Sequence, residues 1–227
     1  MFNPLRGRTI KEVLKILLIM PLVYMQMRFW TYHAIRHTLR GKQERRMKMF
    51  EFVVDDEVVL KLLDIRDANQ LFELANSGRT YLREWLPWVD GTKSAEDTKS
   101  FVEMTKKQFA SNNGFQAGIW SKGNIAGVIG FHGMNWTNRS TSIGYWLGER
   151  YQGNGIMTKS CKAFVEYAFR KLDLNRVEIR CAEKNLSSRA IPERLGFVNE
   201  GTIREAEWLY DHFVNHVVYG VLAQEWL

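Results

Sequence analysis

The chain has 227 residues, 45% of them apolar, with 8 Trp, 13 Phe and 8 Tyr; this is the composition of an ordinary soluble globular protein, long enough to bury a core without staples. Its two cysteines, Cys161 and Cys181, belong to no Cys-x-x-Cys or Cys/His pattern, which argues against a disulfide framework or a zinc site and suits a reducing compartment. The formal net charge of +7 makes no claim on nucleic acid, because residues 1–48 hold 11 Lys or Arg against Glu12 and Glu44, while the rest holds 21 basic against 23 acidic residues.

The basic excess therefore belongs to an N-terminal segment. Within it, Ile16 to Met27 is a run of twelve uncharged residues. That is short of the ~20 apolar residues a spanning helix needs. Pro21 would kink or end any helix through its middle, and no small-x-small cleavage site follows. Three readings stand side by side: a dispensable extension, an interfacial segment in peripheral contact with a membrane, and a cleaved signal. A domain starting at Met49 is complete without it, so the chain divides into an extension, 1–48, and a single domain, 49–227.

From residue 50 strand and helix patterns alternate. Residues 58–63 read as a strand. Residues 67–78 read as a helix, with an acidic start, Leu71, Leu74 and Ala75 on one face, and a glycine stop. A short helix follows in "TYLREWLPW", ended by Pro87. Ser94 with Asp97 three residues on resembles a capping box and opens a helix to about Asn112. Three strand-like runs, 115–121, 125–134 and 140–148, lead into a long amphipathic helix over 156–174. A strand at 176–182, a helix at 187–196 and strands at 197–205 and 213–223 complete a seven-strand pattern with no internal repeat and no second domain.

Between the third of those runs and the long helix lies "RYQGNG", residues 150–155. Glycine costs conformational entropy, so two of them at a helix mouth imply an unusual turn or a close approach to the backbone. A helix start offers unpartnered N–H groups and partial positive charge, and glycines let the chain wrap an anion such as a phosphate. A plain tight turn is the competing explanation. A Walker A loop needs a different spacing, and a Rossmann fingerprint needs a third glycine where Thr158 stands.

The pattern that fits is R-x-x-G-x-G, which resembles the pyrophosphate loop of the GNAT (GCN-type N-acetyltransferase) superfamily. Downstream, "NLSSRAIPERLGF" (Asn185–Phe197) resembles that family's second signature, N-x-x-S followed by a helix and Gly-Phe. The tracts "YLREWLPWVD" and "GTIREAEWLYDHFVNHVVYGVL" are similar to the branch that acetylates protein N-termini, the RimJ/RimL-type ribosomal-protein acetyltransferases. The resemblance covers residues 50 to 227. It implies an α+β fold, a mixed, mostly antiparallel seven-strand sheet flanked by helices, with acetyl-CoA in a central cleft as cosubstrate and no metal.

By the same resemblance, Tyr145, Trp146 and Leu147 lie on the strand that offers backbone amides to the pantetheine arm. Gln152, Gly153, Asn154, Gly155 and Ile156 would cradle the diphosphate, and Asn185 would hold the arm or its local loop. Ser188 matches the acid that protonates the departing thiolate, with helix capping as the alternative. Glu207 matches the base that takes the amine's proton. Glu205, two residues away, is a decoy; His132 is a rival base or acceptor-binding residue; water-relayed transfer is a third option. Trp85, Trp88 and Trp136 are candidates to line the acceptor cleft, against core packing for each. Pro192 interrupts the regular preference of the helix that carries Ser188.

The implied reaction is direct acetyl transfer in a ternary complex to a primary amine, the N-terminal amine of a protein such as a ribosomal protein. A small-amine (polyamine or amino-sugar) acetyltransferase and a non-catalytic CoA-binding module are the rivals. The expected partners are acetyl-CoA and the acceptor, without nucleic acid. The expected location is the cytoplasm. A homodimer, and membrane contact through 1–48, are open alternatives.

Overall fold

The computed structural model describes residues 51–226, so the expectations for residues 1–48, and for a domain start at Met49, lie outside the described residues. Among the described residues eight strands form one sheet: β1 (Glu51–Val53), β2 (Val58–Leu62), β3 (Gln116–Ser121), β4 (Asn124–Asn135), β5 (Ser140–Leu147), β6 (Arg176–Ala182), β7 (Val198–Leu209) and β8 (His212–Leu222). Their spatial order is β1-β2-β3-β4-β5-β6-β8-β7. Every neighbouring pair is antiparallel except β5 and β6, which run parallel.

The count corrects the expected seven. β1 is three residues long and pairs with β2 through a turn in which the Asp55 carboxylate accepts from the N–H groups of Glu57 and Val58. Three residues are too few to show a period-2 pattern, and an Asp-built turn carries no glycine or proline to mark it.

Among the described residues five helices flank the sheet: α1 (Ala68–Ser77), α2 (Arg79–Arg83), α3 (Ala95–Ala110), α4 (Ile156–Arg170) and α5 (Leu186–Arg194). The capping box at α3 forms as expected, with Ser94 and Asp97 each accepting from the other's backbone N–H. α2 is regular as far as Arg83; Glu84 keeps helical angles and the Leu86 N–H still donates to the Leu82 carbonyl at 2.9 Å, so the turn runs on to the residue before Pro87.

Packing follows the two faces of the sheet. In α4, Cys161, Phe164, Val165 and Ala168 are buried at the i, i+3, i+4, i+7 spacing that makes one apolar stripe. That stripe packs in one core with Phe131, Ile143, Val177, Ile179 and Tyr219. Phe115 meets Phe131 edge-on at 5.2 Å, and Phe131 meets Phe164 at 4.8 Å. A fully buried side chain of this size contributes about 1.5–3 kcal/mol. A second cluster unites Leu71 and Leu74 of α1 with Val102 of α3 and Val128 of β4. Among the described residues no helix is long and apolar enough to cross a membrane.

Candidate active site

The parallel ladder between β5 and β6 is short. It pairs Ser140 with Arg176 and stops at Ile143 with Ile179. Beyond that point β5 stays with β4 as far as Leu147, and β6 stays with β8 as far as Ala182. The two strands therefore part, and among the described residues the β6-facing main-chain groups of β5 past Ile143 have no strand partner. The opening leads into a cleft of about 700 Å³. It is lined by Tyr145, Trp146 and Leu147 of β5, by Gln152, Gly153, Gly155 and Ile156 of the following loop, by Asn185 and Ser188 of the α5 start, and by Trp85. Ten of the residues singled out in the sequence thus line one cleft.

The loop adopts the unusual turn that its glycines imply. Gly153 has φ +74° and Gly155 φ +71°, the left-handed region that side chains with a Cβ enter at a cost. Among the described residues, no atom beyond the glycine and its chain neighbours lies within 4 Å of the place a Cβ would occupy at either position, so these residues leave the space above the turn open. Gly155 is the N-cap of α4, and the first-turn N–H groups of that helix point outward without intrahelical acceptors. Asn154 does not line the cleft; its amide donates to the Gln152 carbonyl at 2.9 Å and holds the turn. Gln152 is hydrogen-bonded to the Tyr81 hydroxyl. Two cations share the same wall: Lys159, paired with Asp55 at 2.6 Å, and Arg194, which donates to Thr158 Oγ1 at 2.8 Å.

Ser188 sits in the first turn of α5, where the Asn185 side chain accepts from its N–H at 3.0 Å. The Ser188 hydroxyl lies 3.2 Å from Cys181 Sγ and 3.4 Å from the Tyr145 hydroxyl. Pro192 explains how Tyr145 is held. Proline lacks the N–H that would otherwise donate to the carbonyl four residues back, and its ring pushes that carbonyl outward. The carbonyl in question is that of Ser188, and the Tyr145 hydroxyl donates to it at 3.0 Å. The proline thus frees the Ser188 carbonyl for Tyr145, whose hydrogen bond ties α5 to β5. Burial pushes the Tyr145 phenol well above its ordinary value and the Cys181 thiol upward, so both stay protonated near neutral pH.

The other candidates lie outside this cleft. Glu207 follows an irregularity in β7, where the register jumps between Ile203, paired with His216, and Glu207, paired with Val214. Glu205 within the jump has φ +49°, and its N–H donates to Asn215 Oδ1 at 2.9 Å. The Glu207 carboxylate lies 3.3 Å from His216 Nε2. His132 borders an open hollow with Ser142, Glu178 and Arg180, on a part of the sheet away from the cleft. Its ring fills the place of a Cβ at Gly144, and partial desolvation lowers its pKa even though the residue as a whole is exposed. Trp88 packs on Trp146 at 5.6 Å within the cluster of Leu82 and Val89. Trp136 is exposed and donates to the Asn112 carbonyl at 2.9 Å.

A second hollow, of about 720 Å³, shares Trp85 with the first. Its walls include Arg83, Lys184, Tyr210, His212 and Asn215. The β7–β8 tip is fixed to the chain after α2 by the Tyr210 hydroxyl, which donates to the Leu86 carbonyl at 2.6 Å, and by Arg83 stacked 3.9 Å over the Tyr210 ring. Sequence reasoning missed Tyr81, Lys159 and Arg194 as cleft residues. Lys159 and Thr158 were within reach of it, since they stand in the first turn of the helix that the glycines introduce. Nothing local signals Tyr81 or Arg194. Among the described residues no cluster of three or more His, Cys, Asp or Glu side chains could hold a metal ion.

Residues 57–198 match the acetyltransferase (GNAT) domain. The chain is 36% identical over 181 residues to the putative ribosomal N-acetyltransferase YdaF of Bacillus subtilis (strain 168), a match covering 78% of this chain and 98% of that one. Among solved structures it is similar to RimL, a ribosomal alpha-N-protein acetyltransferase in complex with coenzyme A, at 27% identity and a TM-score of 0.73, over 76% of this chain and 97% of that one. It is similar also to the microcin C7 self-immunity acetyltransferase MccE in complex with acetyl-CoA and AMP, at 29% identity and a TM-score of 0.72, over 74% of this chain and 94% of that one.

Proposed function

The chain belongs to the GNAT acetyltransferase family, on its RimJ/RimL-type branch, and is an acetyl-CoA-dependent N-acetyltransferase; from that premise we propose that it acetylates the N-terminal amine of a protein, of the ribosomal-protein kind, by direct transfer in a ternary complex. The observation that carries the cofactor half of this reading is the parting of β5 from β6 directly above a helix start with two left-handed glycines and open space over both. The residues present fit acetyl-CoA. The α4 start, Lys159 and Arg194 supply positive charge for its phosphates, and the unpaired edge of β5 supplies amides for its pantetheine arm. When bound, it supplies the acetyl thioester.

The chain's own groups then act on that thioester. Glu207 takes the proton that the amine sheds as its nitrogen bonds to the carbonyl carbon. An edge amide of β5 donates to the carbonyl oxygen as charge grows on it. Ser188 gives its hydroxyl proton to the sulfur as the carbon–sulfur bond breaks, letting go of the contacts that hydroxyl makes with Tyr145 and Cys181. Solvent resets both groups. The second hollow, joined to the first at Trp85, supports an extended acceptor such as a peptide, which enters between α2 and the β7–β8 tip. An acceptor of that kind places the reaction in the cytoplasm.

The test is acetyl-CoA titration by calorimetry, with a Gly153→Val/Gly155→Val double variant alongside, then thiol release against peptides with free N-termini, polyamines and amino-sugars. Binding that the double variant abolishes, with turnover on peptides, is the expected result. Turnover confined to small amines would replace the acceptor, and binding without turnover on any amine would leave a CoA-binding module.

A further inference from the structure

The carboxylate of Glu207, which lines neither hollow itself, lies against a side chain that belongs to neither the loop nor the α5 signature. His216 stands on β8, paired with Ala182 of β6, the last residue of the strand that borders the cleft opening. Its ring is largely buried, with 17% of the side chain exposed, and its Nε2 lies 3.3 Å from Glu207 Oε2. A residue paired with Glu207 in a regular ladder is Val214, and His216 is two positions on, so the two side chains share one face of the sheet and meet on the diagonal.

That meeting depends on the irregularity in β7. The extra residues between Ile203 and Glu207 are absorbed at Glu205, whose left-handed backbone is pinned by Asn215, and Asn215 is tied in turn to Glu183 Oε2 at 2.9 Å. Irregularities of this type re-aim a side chain and cluster beside active sites. Here the effect separates two nearby carboxylates. Glu205 is exposed, whereas Glu207 is turned onto the shielded ring of His216.

We propose that His216 is a positioning residue for Glu207: its Nε2–H donates to Oε2, so that Oε1 is presented to the acceptor amine. A carboxylate accepting at Oε2 fixes the hydrogen on Nε2 of the imidazole. The second oxygen keeps its lone pairs for the proton of the attacking amine. The inference rests on Glu207 being the base, and its test separates the two.

The experiment is steady-state turnover of the full chain with acetyl-CoA and the peptide that the wild-type enzyme acetylates fastest, for His216→Leu, His216→Gln, Glu207→Gln and the His216→Leu/Glu207→Gln double variant. Mis-aiming a reacting group costs about 10- to 100-fold in rate. His216→Leu is therefore expected to lower kcat by about tenfold, with the KM for acetyl-CoA unchanged. His216→Gln, whose amide still donates to a carboxylate, should recover most of the loss. The double variant should be no slower than Glu207→Gln alone. Wild-type kcat in His216→Leu beside a slow Glu207→Gln overturns the role of His216 and leaves the base in place. Wild-type kcat in Glu207→Gln overturns the base and this inference with it. Losses that multiply in the double variant overturn it as well, and if the leucine variant does not fold, a His216→Gln enzyme as slow as Glu207→Gln overturns it.

Discussion

Tyr145→Phe removes one oxygen and leaves the ring in place, so its effect is confined to what that hydroxyl touches: the Ser188 carbonyl at 3.0 Å and, more weakly, the Ser188 hydroxyl at 3.4 Å. In the wild-type protein that hydroxyl donates to the Ser188 carbonyl at 3.0 Å, in the position that the N–H of residue 192 would fill if it were not proline. Leaving a buried acceptor without its donor costs about 1–3 kcal/mol, and a part-buried carbonyl belongs in the lower half of that range. Each kcal/mol moves Tm by about 2–4 °C in a domain of this size, so a fall of a few degrees is expected. Pro192→Ala restores an N–H four residues after Ser188 and offers the carbonyl a helical donor. In that background Tyr145→Phe should cost less, with a coupling of about 1 kcal/mol between the two sites. The assay is urea denaturation of the wild type, both single variants and the double, at constant m. Losses that add to within about 0.5 kcal/mol would refute the reasoning, since independent sites behave that way.

Gly155→Ala meets no clash but must adopt φ +71°, at a cost of about 1–2 kcal/mol, and calorimetry should show weaker acetyl-CoA binding. Unchanged Tm and Kd together would mean that the turn is not under that constraint. Phe164→Ala empties a site at the centre of the main core and should destabilise the fold by about 3–5 kcal/mol in chemical denaturation. A loss below about 1 kcal/mol, typical of surface substitutions, would contradict its burial. The Glu200 carboxyl is held below its usual value of 4.5, chiefly by the hydrogen bond from Arg176. Its folded pKa lies under its unfolded one, so the stability it contributes is present above pH 4.5 and lost as pH falls through the folded value. Arg176→Met should flatten that acid limb in a stability–pH profile; an unaltered limb would dismiss the link.

The legible features were those whose partners lie within a few residues. Ser94 and Asp97 cap α3 across three positions, and Gly153 and Gly155 take left-handed backbone on their own account, whereas the cap of α5 is Asn185 and not Ser188, for which capping was the alternative. The apolar stripe of α4 is likewise a property of one helix and its period. The two signatures, read as a resemblance, supplied Gln152, Gly153, Gly155, Asn185 and Ser188 to the cleft, because loop and helix cap are each short, rigid units; the flanking strand, Ile156 and Trp85 supplied the other five. β1 escaped notice because three residues carry no pattern.

Sequence by itself determined the helix starts, the turn at the glycines and the apolar faces, since their free energies are set by neighbours one turn away. The tertiary structure alone decided that β5 parts from β6 after Ile143, and that Arg194 reaches Thr158 from 36 residues off. It alone brought Tyr145 to the Ser188 carbonyl across 43 residues, and turned Glu207 onto His216. Those contacts depend on which strand lies beside which, a choice fixed by burial of the whole core, which no short stretch of the chain encodes.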